Sequence, residues 1–388
     1  MNILFVANKS ETGGAPKSMQ SLILKLKEKN NVIVITPKKQ KIYEFCKDNN
    51  IEVIKTVHVP FLIYSGSSKL KKTIRKIIVP LLKIRHNILN SLSLKIIERK
   101  INLNNIDIIH TNFYRDDIGG KIATKYNKIH IVHLREFGNI DYDCISLVKN
   151  KIKYMVKYTT RFIAISDAIK NYYISLGIPS KKVVRIYNGI ENSKIDIHKE
   201  RNDNKYKILM LGNITDEKGQ MDILSALLLL NVSDRKKFYV DFFGKADEKY
   251  KMKIINFIEK NNLNNNVKIY DYIDNVYDRL KDYDIGLMCS KSEAFGRVTV
   301  EYMAAGLITI ASNCGANSEI ISNHIDGFLY EKDNLSTLSN ILKDIESVNF
   351  KLISNNAIEK VSNNFTHEIN AKNCFKLYEH CLKEKNEN

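Results

Sequence analysis

Short β-branched runs alternate with helical patterns along almost the whole of this chain, and that alternation admits few folds. In the first half the runs fall at Asn2–Ala7, Val32–Thr36, Glu52–Ile54, Ile106–His110, His130–Leu134, Arg161–Ile165 and Val183–Ile186. In the second they fall at Lys207–Leu211, Phe238–Phe243, Val267–Tyr270, Ile285–Cys289 and Leu307–Ala311. The fold class is therefore α/β, with an open, doubly wound parallel sheet in each half. A polar stretch from Ser193 to Tyr206 interrupts the alternation and predicts a linker over 193–206, which leaves residues 1–192 and 207–370 as two domains. At 388 residues the chain is long enough for each to bury its own core. Ligands of such sheets sit beyond the carboxyl ends of the strands, so the strand-end loops are where chemistry is expected.

One segment of the second half is dense with such signals. Glu293-Ala-Phe-Gly-Arg-Val-Thr-Val-Glu301 is followed by Tyr-Met-Ala-Ala-Gly306, a β-branched run to Ser312, then Gly315, Glu319 and Asp326-Gly327. The spacing puts Glu293 on a loop and Glu301 one to two turns inside a helix, at ~1.5 Å of rise per residue. A helix opening near Gly296 aims its unsatisfied N–H groups and positive dipole end back towards Glu293, which makes an anion site. Phosphate at the helix mouth, with carboxylates on either side for hydroxyl groups, describes a nucleotide-sugar pocket. A lone pair of glutamates at this spacing is usually a solvated helix face. The apolar run before it, the Ala-Ala-Gly turn and the run after it argue for the pocket.

The segment resembles the E-x7-E signature of retaining glycosyltransferases of the GT-B fold, family 4 (glycosyl transferases group 1). The resemblance implies two Rossmann-like domains facing each other across a cleft. It also implies that a last helix, Ala371–Lys385 within 371–388, crosses back to the first domain. Glu293 would contact the sugar and Glu301 the ribose, with Ala294, Phe295, Gly296, Arg297, Val298 and Thr299 between them. Gly244 and Ile273 join the donor-binding set by the same resemblance. Leu211-Gly212-Asn213 to Lys218-Gly219 matches the family segment in which an Arg after the glycine and a later Lys grip the diphosphate. Lys218 matches, Asn213 replaces the Arg, and Arg297 could supply the missing charge through its bidentate fork.

In the first half, the opening strand ends in a loop with Gly13, Gly14 and Pro16, whose amides can approach a phosphate or sugar closely. No G-x-G-x-x-G follows any strand, so a nicotinamide or flavin enzyme has no support. His133 ends another strand on the cleft side and is a candidate for hydrogen-bonding the sugar or assisting the acceptor hydroxyl. Arg135 and Glu136 beside it read as a local ion pair, His110-Thr-Asn112 as a weaker cleft candidate, and Asn188-Gly189 as a turn. Asp141-Tyr-Asp143 and Asp282-Tyr-Asp284 invite a metal, but a hard cation needs several convergent oxygens, and cationic side chains with a helix terminus already offset diphosphate charge. No metal site and no cofactor are expected; the nucleotide sugar is a substrate.

Charge is informative once divided: residues 1–200 hold 36 Lys+Arg against 16 Asp+Glu, or +20, whereas residues 201–388 hold 25 against 27, or −2. Between 66 and 100 lie Lys69, Lys71, Lys72, Arg75, Lys76, Lys83, Arg85, Lys95, Arg99 and Lys100 with one acid, Glu98. They are interleaved with Leu70, Ile74, Ile77, Ile78, Leu81, Leu82, Ile84, Ile88 and Leu92, which reads as an interfacial helix able to rest on anionic lipid; the alternative is a helix packed on its own domain. No nucleic-acid module accompanies the patch. Six cysteines without a framework, no signal-peptide pattern and no ~20-residue apolar stretch predict a cytoplasmic protein, peripheral on the inner face of the cell membrane. The expected activity is a retaining, metal-independent hexosyl- or N-acetylhexosaminyltransferase. It would use a nucleotide-diphosphate sugar, UDP favoured, and a lipid-linked or other membrane-associated glycan acceptor in cell-surface polysaccharide synthesis. A same-fold nucleotide-sugar epimerase, or a non-catalytic membrane- or nucleic-acid-binding protein, is the alternative.

Overall fold

Alternate residues of the first strand, Ile3 and Phe5 against Leu4 and Val6, enter two different buried clusters, so this strand is covered on both faces. The computed structural model describes residues 1–387 apart from 9–12, 67, 139–142, 192–204, 274–276 and 333. The chain divides into two units, Met1–Gly189 with His367–Asn388, and Ile190–Thr366. Most of the expected linker, and residues 141–142 of the first Asp-x-Asp triplet, lie outside the described residues.

The first unit holds a seven-stranded parallel sheet in the order Glu52–Lys55, Asn31–Thr36, Asn2–Val6, Ile108–Thr111, Ile129–Leu134, Arg161–Ala164, Val183–Arg185. Its sequence order runs outwards from Asn2–Val6 and then restarts on the other side, which makes Asn2–Val6 and Ile108–Thr111 the topological switch point. Helix Gly14–Lys27 and the final helix cover one face, through Met19, Leu22, Ala371, Cys374, Leu377 and Tyr378. That final helix starts at His367, four residues before the expected Ala371, and is pinned to this unit by Lys25–Glu368 at 2.8 Å and Arg161–Glu384 at 2.7 Å. Ile118, Ile122 and Ile97 cover the opposite face.

The second unit repeats the scheme with six parallel strands: Val267–Tyr270, Phe238–Phe243, Tyr206–Leu211, Ile285–Met288, Ile308–Ser312, Phe328–Tyr330. The edge strand Phe328–Tyr330, and the antiparallel pair Leu62–Tyr64 with Cys144–Ser146 in the first unit, were not expected from sequence. Each is three residues long, too short to show a period. All six cysteines are unpaired. No helix among the described residues is long and apolar enough to cross a membrane.

Candidate functional site

In the second unit, Tyr206–Leu211 and Ile285–Met288 are the neighbouring strands at which the order reverses. The loops leaving them diverge, and the crevice between is the place for a ligand. From Leu211 the chain passes Gly212 and Asn213 into the turn Asp216–Lys218, then through Gly219 at φ 71° into helix Gln220–Leu229. A Cβ on Gly219 would fall 2.2 Å from the Cys289 carbonyl, so only glycine lets this loop lie against the neighbouring strand end. The approach brings Lys218 to Glu293: its Nζ donates to Oε1 at 2.5 Å and to Ser290 Oγ at 3.3 Å. Ser290 Oγ donates to the same Oε1 at 2.8 Å.

The backbone fixes Glu293 as well. Its carbonyl accepts the Ala316 amide at 2.8 Å, across Gly315, where φ is 56° and a Cβ would fall 2.1 Å from that oxygen. Helix Arg297–Ala304 opens after Gly296, and its first return bond is Val300 N–H to Gly296 O at 3.1 Å. The amides of residues 297–299 therefore stand outside the helical ladder at the positive end of the dipole. Arg297 Nε donates to Glu301 Oε1 at 2.8 Å, one turn along. Each glutamate of the E-x7-E pair is thus tied to a cation.

The other expected donor residues take several positions. Gly212 accepts its place beside Gly244 by donating its amide to Phe243 O at 3.0 Å. Ile273 and Val298 pack against one apolar cluster with Leu211 and Phe243. Asn213 O accepts Gln220 Nε2 at 3.0 Å. Phe295 is buried with its ring 6.1 Å from that of Phe365, and Thr299 Oγ1 donates to Asn317 Oδ1 at 2.9 Å, so both brace the loop from within. Ala294 is half-buried between Glu293 and Phe295. Asp284 accepts the Lys207 amide at 2.8 Å and so fixes the start of a strand.

In the first unit, Gly13 and Gly14 are exposed at the start of helix Gly14–Lys27, with open space where a Gly13 Cβ would be. His133 is fully buried rather than open to solvent. Its Nδ1 lies 2.7 Å from His110 Nε2 and 3.1 Å from Arg135 Nη2. Arginine only donates, so Nδ1 must accept and the ring proton resides on Nε2. His110 must then donate through Nε2 and accept through Nδ1, from the Tyr378 hydroxyl. The chain Tyr378, His110, His133 thus ends in a buried His133 Nε2–H with no partner among the described residues. Burial, then Arg135, and last a neighbouring imidazole, His130 for His110 and His110 for His133, hold both rings well below the usual histidine range, so both are neutral at pH 7. Burial lowers Arg135 only to about 10, which keeps its charge.

The expected Arg135–Glu136 pair does not form. Adjacent residues leaving a strand point to opposite sides: Arg135 also donates to Asn112 Oδ1 at 2.9 Å and Asn188 Oδ1 at 2.7 Å, while Glu136 pairs with Arg115. Asn188, expected in a turn, is instead a buried acceptor on a stretch with no turn. At the switch point of this sheet, a cavity of about 330 Å³ is lined by residues including Asn8, His58, Tyr64, Phe113, Arg115 and Glu136. Tyr378, Ser290 and Arg115 escaped sequence reasoning; Tyr378 and Arg115 act on partners distant in the chain, His110 and Glu136. The strand-end position of Ser290, three residues before Glu293, was the one available signal.

Residues 192–361 match the family described as glycosyl transferases group 1, and residues 12–194 match glycosyltransferase family 4. The chain is 26% identical over 267 residues to the capsular polysaccharide biosynthesis glycosyltransferase CapH of Staphylococcus aureus, covering 67% of this chain and 72% of that one. It is 25% identical over 281 residues to the UDP-Gal:alpha-D-GlcNAc-diphosphoundecaprenol alpha-1,3-galactosyltransferase of Escherichia coli, covering 67% and 71%. The solved structure of Anabaena Alr3699/HepE in complex with UDP shares the fold at a TM-score of 0.74 and 18% identity, over 97% of this chain and 99% of that one.

Proposed function

Because this chain belongs to the group 1, family 4 glycosyltransferases of the GT-B fold, we propose that it moves a hexosyl or N-acetylhexosaminyl group from a UDP-sugar, with retention and without a metal, to a lipid-linked or other membrane-associated glycan in cell-surface polysaccharide synthesis. The observation that carries this reading is the second unit's switch point, where Lys218 and Glu293 meet beside the open turn of the Arg297–Ala304 helix. A diphosphate seated at those amides gains Lys218 as counter-charge, and the departing nucleotide is stabilised by groups already in place. Glu293 then faces the sugar and Glu301, steadied by Arg297, the ribose. Within the first unit, the exposed Gly13 and Gly14 keep their expected role as donor-binding backbone. UDP is favoured because the relatives whose names specify a nucleotide carry a uridine diphosphate.

His133 is assigned to the sugar or acceptor as a hydrogen-bond donor, since Nε2 already carries a proton and cannot take one. The cavity of the first unit suits a sugar ring better than a phosphate. Arg115 there is matched by Glu136, Asp116 adds a negative charge, and Tyr64 and Phe113 offer flat apolar faces. The enzyme would work peripherally at the inner face of the cell membrane. The test is transfer from labelled UDP-sugars to a lipid-linked glycan in the presence of a chelator, with the anomeric configuration of the product read by NMR. An α-linked product from an α-configured donor is expected. An inverted product, or conversion of the donor to its epimer without acceptor, overturns the reading.

A further inference from the structure

Helices Lys69–Ile77 and Val79–Glu98 follow one another almost without a break, because Ile78 N–H bonds Ile74 O at 3.1 Å and Leu82 N–H bonds Ile78 O at 2.9 Å. Along them Leu70, Ile74, Ile77, Leu81, Ile84, Ile88 and Leu92 are 46 to 72% exposed. At 3.6 residues per turn all seven fall within an arc of roughly 80°. The opposite side carries His86, Asn90, Ser93 and Ile97, all buried. Asn90 Oδ1 accepts the Val59 amide at 2.9 Å, Asn90 Nδ2 donates to Asp117 Oδ1 at 2.8 Å, and Ser93 Oγ accepts the Val57 amide at 3.1 Å. The second helix is therefore inverted for a protein in water: its polar side packs inwards and its aliphatic side faces out. The packing that would have made the stripe an ordinary core-facing helix is supplied by the other side.

We propose that this stripe is a docking surface for an anionic lipid leaflet. Lys69, Lys71, Lys76, Lys83, Arg85, Lys95, Arg99 and Lys100 are exposed along and beyond it. The single acid, Glu98, is engaged by Lys125 at 2.6 Å and Tyr126 at 2.7 Å. Aliphatic side chains entering the headgroup boundary between cations held at the phosphates are the pattern of an interfacial helix. A second copy fits poorly, since two such helices would bring like charges face to face. Nucleic acid fits poorly too, because the segment from Lys69 to Glu98 has no Phe, Tyr or Trp on which a base could stack. The inference rests on the peripheral location proposed above and names the surface that carries it; its test reads lipid binding alone, so failure of the transfer reaction does not decide it.

The experiment is co-sedimentation of the full chain with vesicles of neutral phosphatidylcholine, or of phosphatidylcholine mixed with phosphatidylglycerol. Lys72, which pairs with Asp143 at 2.7 Å, and Arg75, which donates to Tyr64 O, are left intact to protect the local fold. Binding should need the anionic lipid and weaken as salt is raised. The triple change Lys76→Gln, Lys83→Gln, Arg85→Gln should lower the partition coefficient at least about tenfold. The triple change Leu81→Ser, Ile84→Ser, Ile88→Ser should do the same with an unchanged melting temperature, because these side chains are 57 to 65% exposed. Equal binding to both vesicles, no binding at low salt, or full binding by the stripe variant overturns the proposal. So does dimerisation that depends on the stripe while vesicles are not bound, which would assign the surface to a second copy.

Discussion

At Glu301 the structure sharpens what a substitution should do. The carboxylate is held by Arg297, so Glu301→Ala removes a charge-assisted acceptor meant for ribose and should weaken nucleotide binding by about 1.5–3 kcal/mol. Unchanged affinity in a folded variant would contradict the assignment. Arg297 was expected to replace the arginine absent at Asn213, yet its Nε is directed at Glu301. If it acts by steadying Glu301, Arg297→Ala should weaken nucleoside and nucleoside diphosphate alike, whereas a loss confined to the diphosphate would restore the phosphate role. For the buried histidines, Tyr378→Phe leaves His110 Nδ1 without its donor and should cost about 1–3 kcal/mol of stability, read as a shift in the denaturant midpoint. An unmoved midpoint would dismantle the tautomer assignment.

Among the elements, the helix Val79–Glu98 depends on one carboxylate. Asp117 receives Asn90 at 2.8 Å, His86 at 3.1 Å, Lys121 at 3.0 Å and Tyr154 at 2.7 Å. Burial pushes its carboxyl up, but the hydrogen bond from His86 and the neighbouring charges outweigh that and hold it at about 2. The folded value lies below the unfolded one of 3.8, so the contribution is complete at neutral pH and disappears as pH falls from about 4 through about 2. It amounts to on the order of 2 kcal/mol. Asp117→Asn should flatten the acid limb of a stability–pH curve in this window, and an identical limb in the variant would exclude the anchor. The same helix shows what periodicity could and could not reveal. Leu70 to Leu92 were visible as a helical stripe, but the sequence could not say which side packed, because Asn90 and Ser93 bond to the distant Val57, Val59 and Asp117.

For the whole molecule, the doubly wound sheets were legible because buried parallel strands such as Ile3–Val6 and Ile285–Met288 are continuous apolar runs punctuated by glycine loops. Glu293, Lys218 and Glu301 were legible through their motif. Their partners were less so: Ser290 and Arg297 are near in sequence, yet which oxygen each bonds is decided by the approach of Gly219 to Cys289 and of Gly315 to Glu293. The buried chain from Tyr378 to His133 crosses more than two hundred positions, its first link joining residues 268 apart, and no local pattern announces it. The central claim is that the second unit's switch point binds the diphosphate of a nucleotide sugar. Calorimetric titration of the parent protein, Lys218→Ala and Glu301→Ala with UDP, GDP, ADP and the corresponding nucleosides tests it most directly. The account predicts that the parent prefers UDP to uridine, that Lys218→Ala loses most of this preference while keeping its affinity for uridine, and that Glu301→Ala weakens both. Failure of the parent to bind any nucleoside diphosphate, or an undiminished preference in Lys218→Ala, would contradict it.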